Sequence, residues 1–179
     1  VASDLLSQAE HGTDSQVILV STSKDLIDAV ETEIQTQLEV LPRKAIATKA
    51  IENSKLIYVE NDQIALDLID EYGPEHFIIC AKNEDFYVNN IGNAGSVFIG
   101  NYTPESAGDY ASGTNHTLPT NGYAKNYSGV NLDSFTKAMT FQKISEKGIQ
   151  KIGKAIEIMA EAEGLQAHKN AVTLRLKAI

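Results

Sequence analysis

The chain has 179 residues, of which 42% are hydrophobic, and this length suits one domain or one domain with an appendage. Fifteen basic and 24 acidic residues give a formal net charge of −9. This charge argues against nucleic acid and anionic membranes as partners, because both attract clustered Lys and Arg. The sequence shows no secretory signal and no run of about 18 apolar residues, so we expect a cytoplasmic protein. Because the chain starts with Val1 in an amphipathic segment, we interpret it as a fragment.

Short apolar runs alternate with amphipathic stretches over most of the chain. The predicted strands cover 16–21, 55–59, 76–80 and 96–99. The predicted helices cover 4–11, 24–40, 43–53, 61–71 and 83–90. This order predicts an α/β fold with an incomplete, Rossmann-like parallel sheet and flanking helices. The single cysteine, Cys80, ends a predicted strand and is interpreted as a small buried residue in a reducing compartment.

The second half of the chain has less regular patterning. A short helical turn is predicted after Pro104, and the glycine- and asparagine-rich stretch 111–131 predicts a long functional loop. Residues 135–144 alternate weakly and are interpreted as a strand or hairpin. Amphipathic helices are predicted over 145–163 and 165–179. We therefore expect an α/β domain portion over 1–130 and a mostly helical arm over 131–179 that mediates dimerisation.

Side chains with nitrogen or oxygen ligand atoms suggest a metal site. The candidate ligands are Gln8, His11, Asp109 and His168. A set of nitrogen and oxygen ligands without thiolates suits Zn, Mn or Fe. Gln8 and His11 are three residues apart, so a helix would carry both on one side of one turn. Asp109 follows the strand at 96–99, so we expect it at the carboxyl edge of the sheet. Each of these residues alone is more often a structural hydrogen-bonding residue, so the set is a hypothesis.

Glu75 and His76 form a candidate acid–base couple, since a carboxylate and an imidazole can share proton transfers near neutral pH. An ordinary turn after Pro74 explains the pair equally well. The glycines that follow form neither a G-x-G-x-x-G fingerprint after a strand nor a G-x-x-x-x-G-K-[ST] loop. No nucleotide site is visible in the sequence.

Several motifs together resemble one known family, the histidinol dehydrogenases. In family order they are Gln8-Ala9-Glu10-His11-Gly12, Pro74-Glu75-His76, Asn93-Ala94-Gly95-Ser96, Tyr102-Thr103-Pro104-Glu105, Gly108-Asp109-Tyr110, Gly113-Thr114-Asn115-His116, Leu118-Pro119-Thr120, Glu161-Ala162-Glu163-Gly164-Leu165 and Ala167-His168. The resemblance spans the whole chain but only the C-terminal part of the longer family sequence. The family's nucleotide-binding portion has no counterpart here.

The resemblance implies oxidation of L-histidinol to L-histidine through the aldehyde, with two NAD and one zinc ion per site. It implies that zinc is held by the four candidate ligands, that His76 takes protons, and that Glu75 activates water. It also implies substrate contacts by Gln8, His11, His76, Asp109, His116, Glu163 and His168. The family further implies a homodimer in which a partner subunit donates His168 and Glu163. No residue of an NAD site is expected within this chain.

Two other interpretations remain open at this stage. The chain could serve only as a folded scaffold and dimerisation module, or it could be a standalone metal-dependent hydrolase if the resemblance is misleading. Because the family's nucleotide domain is missing, we expect the isolated fragment to be inactive.

Overall fold

Two compact units make up the computed structural model, which describes every residue from Val1 to Ile179. The first unit is Val1–Thr136 and the second is Lys137–Ile179. This boundary falls shortly after the one predicted between residues 130 and 131. The predicted division of roles, with the metal and catalytic residues in the first part and dimerisation in the second, stays a prediction.

The first unit has the predicted α/β architecture. Its strands are β1 (Ile18–Ser21), β2 (Lys55–Tyr58), β3 (His76–Ile79) and β4 (Ser96–Ile99). Its helices are α1 (Ala2–Ala9), α2 (Lys24–Leu38), α3 (Lys44–Glu52), α4 (Asp62–Tyr72), α5 (Glu84–Asn90) and α6 (Glu105–Tyr110). Strand β1 pairs in parallel with β2, and β3 pairs in parallel with β4, each as a two-stranded sheet. The parallel α/β fold expected from the sequence is confirmed.

The ends of these elements follow from local chemistry. The side chains of Ser23 and Asn61 accept hydrogen bonds from backbone N–H groups in the first turns of α2 and α4, which is the usual role of an N-cap. Gly73 ends α4 in the left-handed region at φ 63°, a conformation that glycine adopts without a steric penalty. The chain then enters β3 directly, which places Glu75 and His76 at the amino end of that strand.

Two apolar clusters hold the first unit together. One lies among α1, α2 and α3 and includes Leu6, Ile34 and Leu38. The other joins Leu66 of α4 to Phe77 of β3 and includes partly buried residues of β1 and β2. Burial of such side chains contributes roughly 1.5–3 kcal/mol each. The two clusters fix α1 and β3, which carry the candidate site residues Gln8 and His76 and adjoin His11 and Glu75.

Two predictions about single segments are wrong. Residues 135–144 form no strand: a short 3₁₀ turn covers Leu132–Phe135, and the following residues are exposed and irregular up to Ser145. A strand needs a pairing neighbour, and this segment has none. Cys80 is exposed instead of buried, because β3 ends one residue earlier, at Ile79.

The second unit is a helical hairpin of α7 (Glu146–Ala162) and α8 (Gln166–Lys177). Gly164 connects the helices with φ 72°, and the close approach of Leu176 to Gly153 leaves no room for a Cβ there. Salt bridging between Lys169 and Glu161, at 2.6 Å, adds a polar contact along the hairpin. No helix in either unit combines the length and apolar character needed to cross a membrane.

Candidate active site

The first contribution to the site comes from the end of α1. Gln8 lies in the last turn, and the helix ends at Ala9, so His11 lies just beyond it. The expectation that one rigid helix carries both side chains is therefore wrong. The His11 backbone N–H still donates to the Gln8 carbonyl at 3.2 Å, and Arg43 Nη2 donates to the His11 carbonyl at 3.5 Å. These bonds hold the turn that presents His11 next to α1.

The second contribution comes from the start of β3. His76 is the first residue of this strand and pairs with Ser96 of β4. The Ser96 N–H donates to the Glu75 carbonyl at 2.9 Å, and the Gly95 N–H donates to the Pro74 carbonyl at 2.9 Å. The pair Glu75 and His76 thus belongs to a hydrogen-bonded strand entrance.

The third contribution is α6, which carries Glu105 and, one helical turn later, Asp109. Gly108 lies against the Phe98 ring, since an added Cβ would be 2.8 Å from Phe98 Cε1. The Phe98 ring centroid is in turn 5.9 Å from that of His76. Helix α6 therefore packs over the face of the β3–β4 pair near its amino end. The sequence placed Asp109 at the carboxyl edge, and that expectation is wrong because the chain folds back after β4.

These three elements converge on one cluster of charges. His76 Nε2 lies 3.8 Å from Glu105 Oε1, and ligand atoms of His76, Glu105 and Asp109 all lie within 4.8 Å of one another. Glu105 is buried, with 3% of its surface exposed. Such proximity of carboxylates and an imidazole is suited to holding a cation.

Burial sets the protonation behaviour of the cluster. It raises the pKa of the Glu75 carboxyl, an effect opposed by His76 and His11 and reinforced by the charges of Glu105 and Asp109. Burial lowers the pKa of His76, although Glu75 and Asp109 act in the opposite direction. The neutral imidazole is therefore the main form of His76 at neutral pH, and in this form it can accept a proton.

Two buried polar atoms of the cluster have no hydrogen-bond partner, namely Gln8 Nε2 and His76 Nε2. Buried polar atoms in native proteins almost always have partners, so these two indicate a site that a ligand completes. The imidazole of His76 and the carboxylates of Glu105 and Asp109, which the structure brings together, are groups that fit a zinc ion. The residues of the first unit thus satisfy the chemistry of a metal site. The predicted set of Gln8, His11, Asp109 and His168 stays a prediction.

The remaining predicted residues lie elsewhere in the chain. His116 is exposed in the irregular segment after α6. Glu163 follows the last residue of α7, and His168 is exposed on α8, so both belong to the second unit. Their roles stay predictions.

Sequence reasoning quoted Glu105 in the Tyr102-Thr103-Pro104-Glu105 motif but did not name it as a site residue. The available signal was its i, i+4 spacing to Asp109, which puts both carboxylates on one face of α6.

An α/β chain that gathers carboxylates, imidazoles and an amide in a half-buried cluster is typical of a metal-dependent enzyme. The family model described as histidinol dehydrogenase matches residues 1–176. The histidinol dehydrogenase of Bacteroides thetaiotaomicron is 59% identical over 179 residues, covering 100% of this chain and 42% of the relative. The chloroplastic histidinol dehydrogenase of Arabidopsis thaliana is 53% identical over 180 residues, covering 100% of this chain and 39% of the relative.

Structural comparison agrees with the sequence comparison. The crystal structure of histidinol dehydrogenase from Elizabethkingia anophelis matches 99% of this chain and 41% of that chain, with a TM-score of 0.93 and 56% identity. The chain belongs to the histidinol dehydrogenase family. It spans about two fifths of the length of the relatives it matches.

Proposed function

We propose that this chain supplies the metal and substrate residues of a zinc-dependent dehydrogenase that oxidises L-histidinol to L-histidine through the aldehyde, with two NAD. The observation that carries the proposal is the convergence of α1, β3 and α6. Ligand atoms of His76, Glu105 and Asp109 lie within 4.8 Å of one another, and Ser7 of α1 donates a hydrogen bond to Glu105. Burial raises the pKa of Glu75, and the charges of His76 and His11 oppose this rise. The proposal places this activity in a cytoplasmic biosynthetic enzyme.

In the proposed site, zinc is held by Gln8, His11, Asp109 and His168. When bound, the ion supplies a fixed positive centre that orients the imidazole and amino group of the substrate. The buried Gln8 Nε2 has no hydrogen-bond partner, which supports a ligand at this amide because buried polar atoms almost always have partners. The proposed substrate contacts are Gln8, His11, His76, Asp109, His116, Glu163 and His168.

Proton transfer is assigned to the residues at the start of β3. His76 accepts protons during oxidation of the alcohol, and its lowered pKa supports this role because the neutral form is available. Glu75 activates the water that attacks the aldehyde. The half-buried position of Glu75 beside His76 supports these two roles, proton acceptance by His76 and activation of water by Glu75.

The proposal is tested by grafting this chain into the Bacteroides thetaiotaomicron relative in place of the 179 residues that it matches. We expect the graft to reduce NAD in the presence of L-histidinol. Glu75→Gln in the graft is expected to lower kcat by about 10²–10⁴-fold, since this is the usual contribution of a general acid or base. NAD reduction followed at 340 nm on zinc-loaded protein measures both results.

Glu60→Gln is the matched control, because Glu60 is an exposed glutamate of the same unit. It should leave kcat unchanged. A folded, zinc-loaded graft without activity, or a Glu75→Gln graft as active as the parent, would contradict the proposal. We expect the 179-residue chain by itself to reduce no NAD, because it spans only 42% of that relative.

We further propose that the active form is a homodimer in which His168 and Glu163 of one subunit complete the site of the other. The second unit supports this arrangement because it exposes large apolar side chains. They include Met139 at 69%, Phe141 at 88%, Met159 at 65% and Leu174 at 65%. Exposed apolar surface of this kind marks interaction sites. In an isologous dimer, each subunit would cover the exposed apolar surface of the other in one symmetric contact.

Light scattering tests the dimer. The chain is expected to have the mass of a dimer, and deletion of residues 145–179 is expected to give a monomer, because the helical hairpin is removed. Phe141→Ser with Met159→Ser should weaken the dimer, whereas Lys151→Ser, also exposed in α7, should not. A stable monomer in which His168 and Asp109 of the same chain bind one ion would refute exchange between subunits.

Two alternative functions predict different results. A scaffold and dimerisation module would form the dimer but bind no zinc. A standalone hydrolase would show metal-dependent hydrolysis without any partner segment. Metal analysis of the purified chain separates the first alternative from the proposal.

A further inference from the structure

Glu105 is the most deeply buried charged residue of the cluster and has no role in the function proposed above. Its side chain has 3% of its surface exposed, although an unpaired buried carboxylate is strongly unfavourable. Ser7 Oγ donates to Glu105 Oε2 at 3.3 Å. The other carboxylate oxygen, Oε1, lies 3.8 Å from His76 Nε2. The two oxygens therefore face different elements of the site.

The carboxylate of Glu105 also faces Gln8, the residue after Ser7. Burial raises the pKa of the Glu105 carboxyl, and the nearby Gln8 amide acts in the opposite direction. Gln8 Nε2 nevertheless has no hydrogen-bond partner. This buried nitrogen is therefore available to a nearby acceptor such as the Glu105 carboxylate.

We propose that Glu105 is a positioning residue of the metal site, where its carboxylate joins α1 to α6 and orients the Gln8 amide so that Oε1 is presented to the ion. The inference rests on the proposed function, because it assumes that Gln8 and Asp109 are ligands. Glu105 and Asp109 share one face of α6, and Ser7 and Gln8 are neighbours on α1. Glu105 therefore fixes the distance between two ligand-bearing helices. Groups that orient metal ligands in this way typically contribute 10–100-fold to metal affinity.

A direct metal bond to Glu105 is the competing explanation, since its carboxylate belongs to the group with His76 and Asp109. The hydrogen bond from Ser7 favours positioning, because it uses one oxygen and turns the carboxylate toward α1. A purely structural role is the other explanation. It would make the side chain important for folding but not for the coordination geometry of the ion.

The test is titration of the metal-free 179-residue chain with Co²⁺, followed by visible absorption, with zinc affinity measured by competition. Glu105→Gln is expected to weaken Co²⁺ binding by about 10–100-fold, to keep the stoichiometry of the parent, and to change the shape of the cobalt bands. Ser7→Ala is expected to weaken binding less. Both substitutions disturb the same contact, so their effects on Co²⁺ affinity should not add. Adding Ser7→Ala to Glu105→Gln should lower the affinity by a smaller factor than Ser7→Ala does in the parent chain.

Tyr87→Phe is the matched control, since it removes another part-buried hydrogen bond, the one from Tyr87 to Asp62 at 2.9 Å, outside the cluster. It should leave both the Co²⁺ affinity and the spectrum unchanged.

An unchanged spectrum and affinity in Glu105→Gln would overturn the inference. A loss of binding in Glu105→Gln as complete as that in Asp109→Ala would also overturn it. If Glu105→Gln does not fold, unchanged binding in Ser7→Ala overturns it. Absence of Co²⁺ binding by the folded parent chain would instead refute the proposed metal site, and this inference with it.

Discussion

Gly95→Ala is expected to lower the free energy of unfolding by about 3 kcal/mol or more, at the upper end of the usual penalty for overpacking. A Cβ at this position would lie 2.5 Å from the Glu75 carbonyl oxygen and 3.3 Å from the Glu75 carbonyl carbon. The obstacle is backbone, so no side-chain rotation can relieve it. The strands must separate instead. This separation would break the hydrogen bond from the Ser96 N–H to the Glu75 carbonyl.

Urea unfolding followed by circular dichroism measures this effect. Gly92→Ala is the matched control in the same loop, because its Cβ would make only an ordinary contact, 3.4 Å from Asp70 Oδ2. The control should lose less than about 1 kcal/mol. Since Gly95 adjoins the entrance of β3, we also expect Gly95→Ala to bind zinc more weakly. Equal stability of the two variants would show that the close approach to Glu75 is not needed.

The His11→Ala, Asp109→Ala double variant is expected to lose zinc, with affinity falling by about three orders of magnitude or more. It removes one imidazole and one carboxylate from a site with about four ligands, and the remaining ligands cannot replace their charge and geometry. Inductively coupled plasma analysis after dialysis against zinc buffers gives the metal content. The Asp133→Ala variant removes a carboxylate at an exposed position that has no role in the proposed site, and it should retain zinc.

The single variants decide between two placements of the ion. If the ion is held by Gln8, His11 and Asp109, both His11→Ala and Asp109→Ala lose affinity. If it is held by His76, Glu105 and Asp109, only Asp109→Ala of these two does so. Full zinc content in the double variant would contradict the proposed site.

The sequence predicted the fold well wherever burial and periodicity agree. Strands β1 to β4 are apolar runs between helices, and each was predicted within one or two residues. It failed at 135–144, where weak alternation has no strand to pair with. Cys80 was misplaced for a related reason, because an apolar run does not show at which residue the sheet ends.

The arrangement of the cluster could be predicted only in part. Residue types and the family resemblance grouped Gln8, His11 and Asp109, but periodicity could not show that α1 ends before His11. Nor could it show that the chain folds back after β4 and places Asp109 at the amino end of β3. Glu105 was missed because its importance arises from its burial between two helices, which is a tertiary property.

The hydrogen bond from Ser7 to Glu105 joins residues separated by 98 positions in the sequence. A contact of such separation closes a very long loop, and no local element can form it in advance. The cluster therefore exists only when the strands between these residues are assembled. Metal bound there adds its binding free energy to the stability of the whole first unit. By the same linkage, a substitution in the distant core around Leu66 would weaken apparent metal affinity once the unfolded fraction becomes appreciable, without touching a ligand.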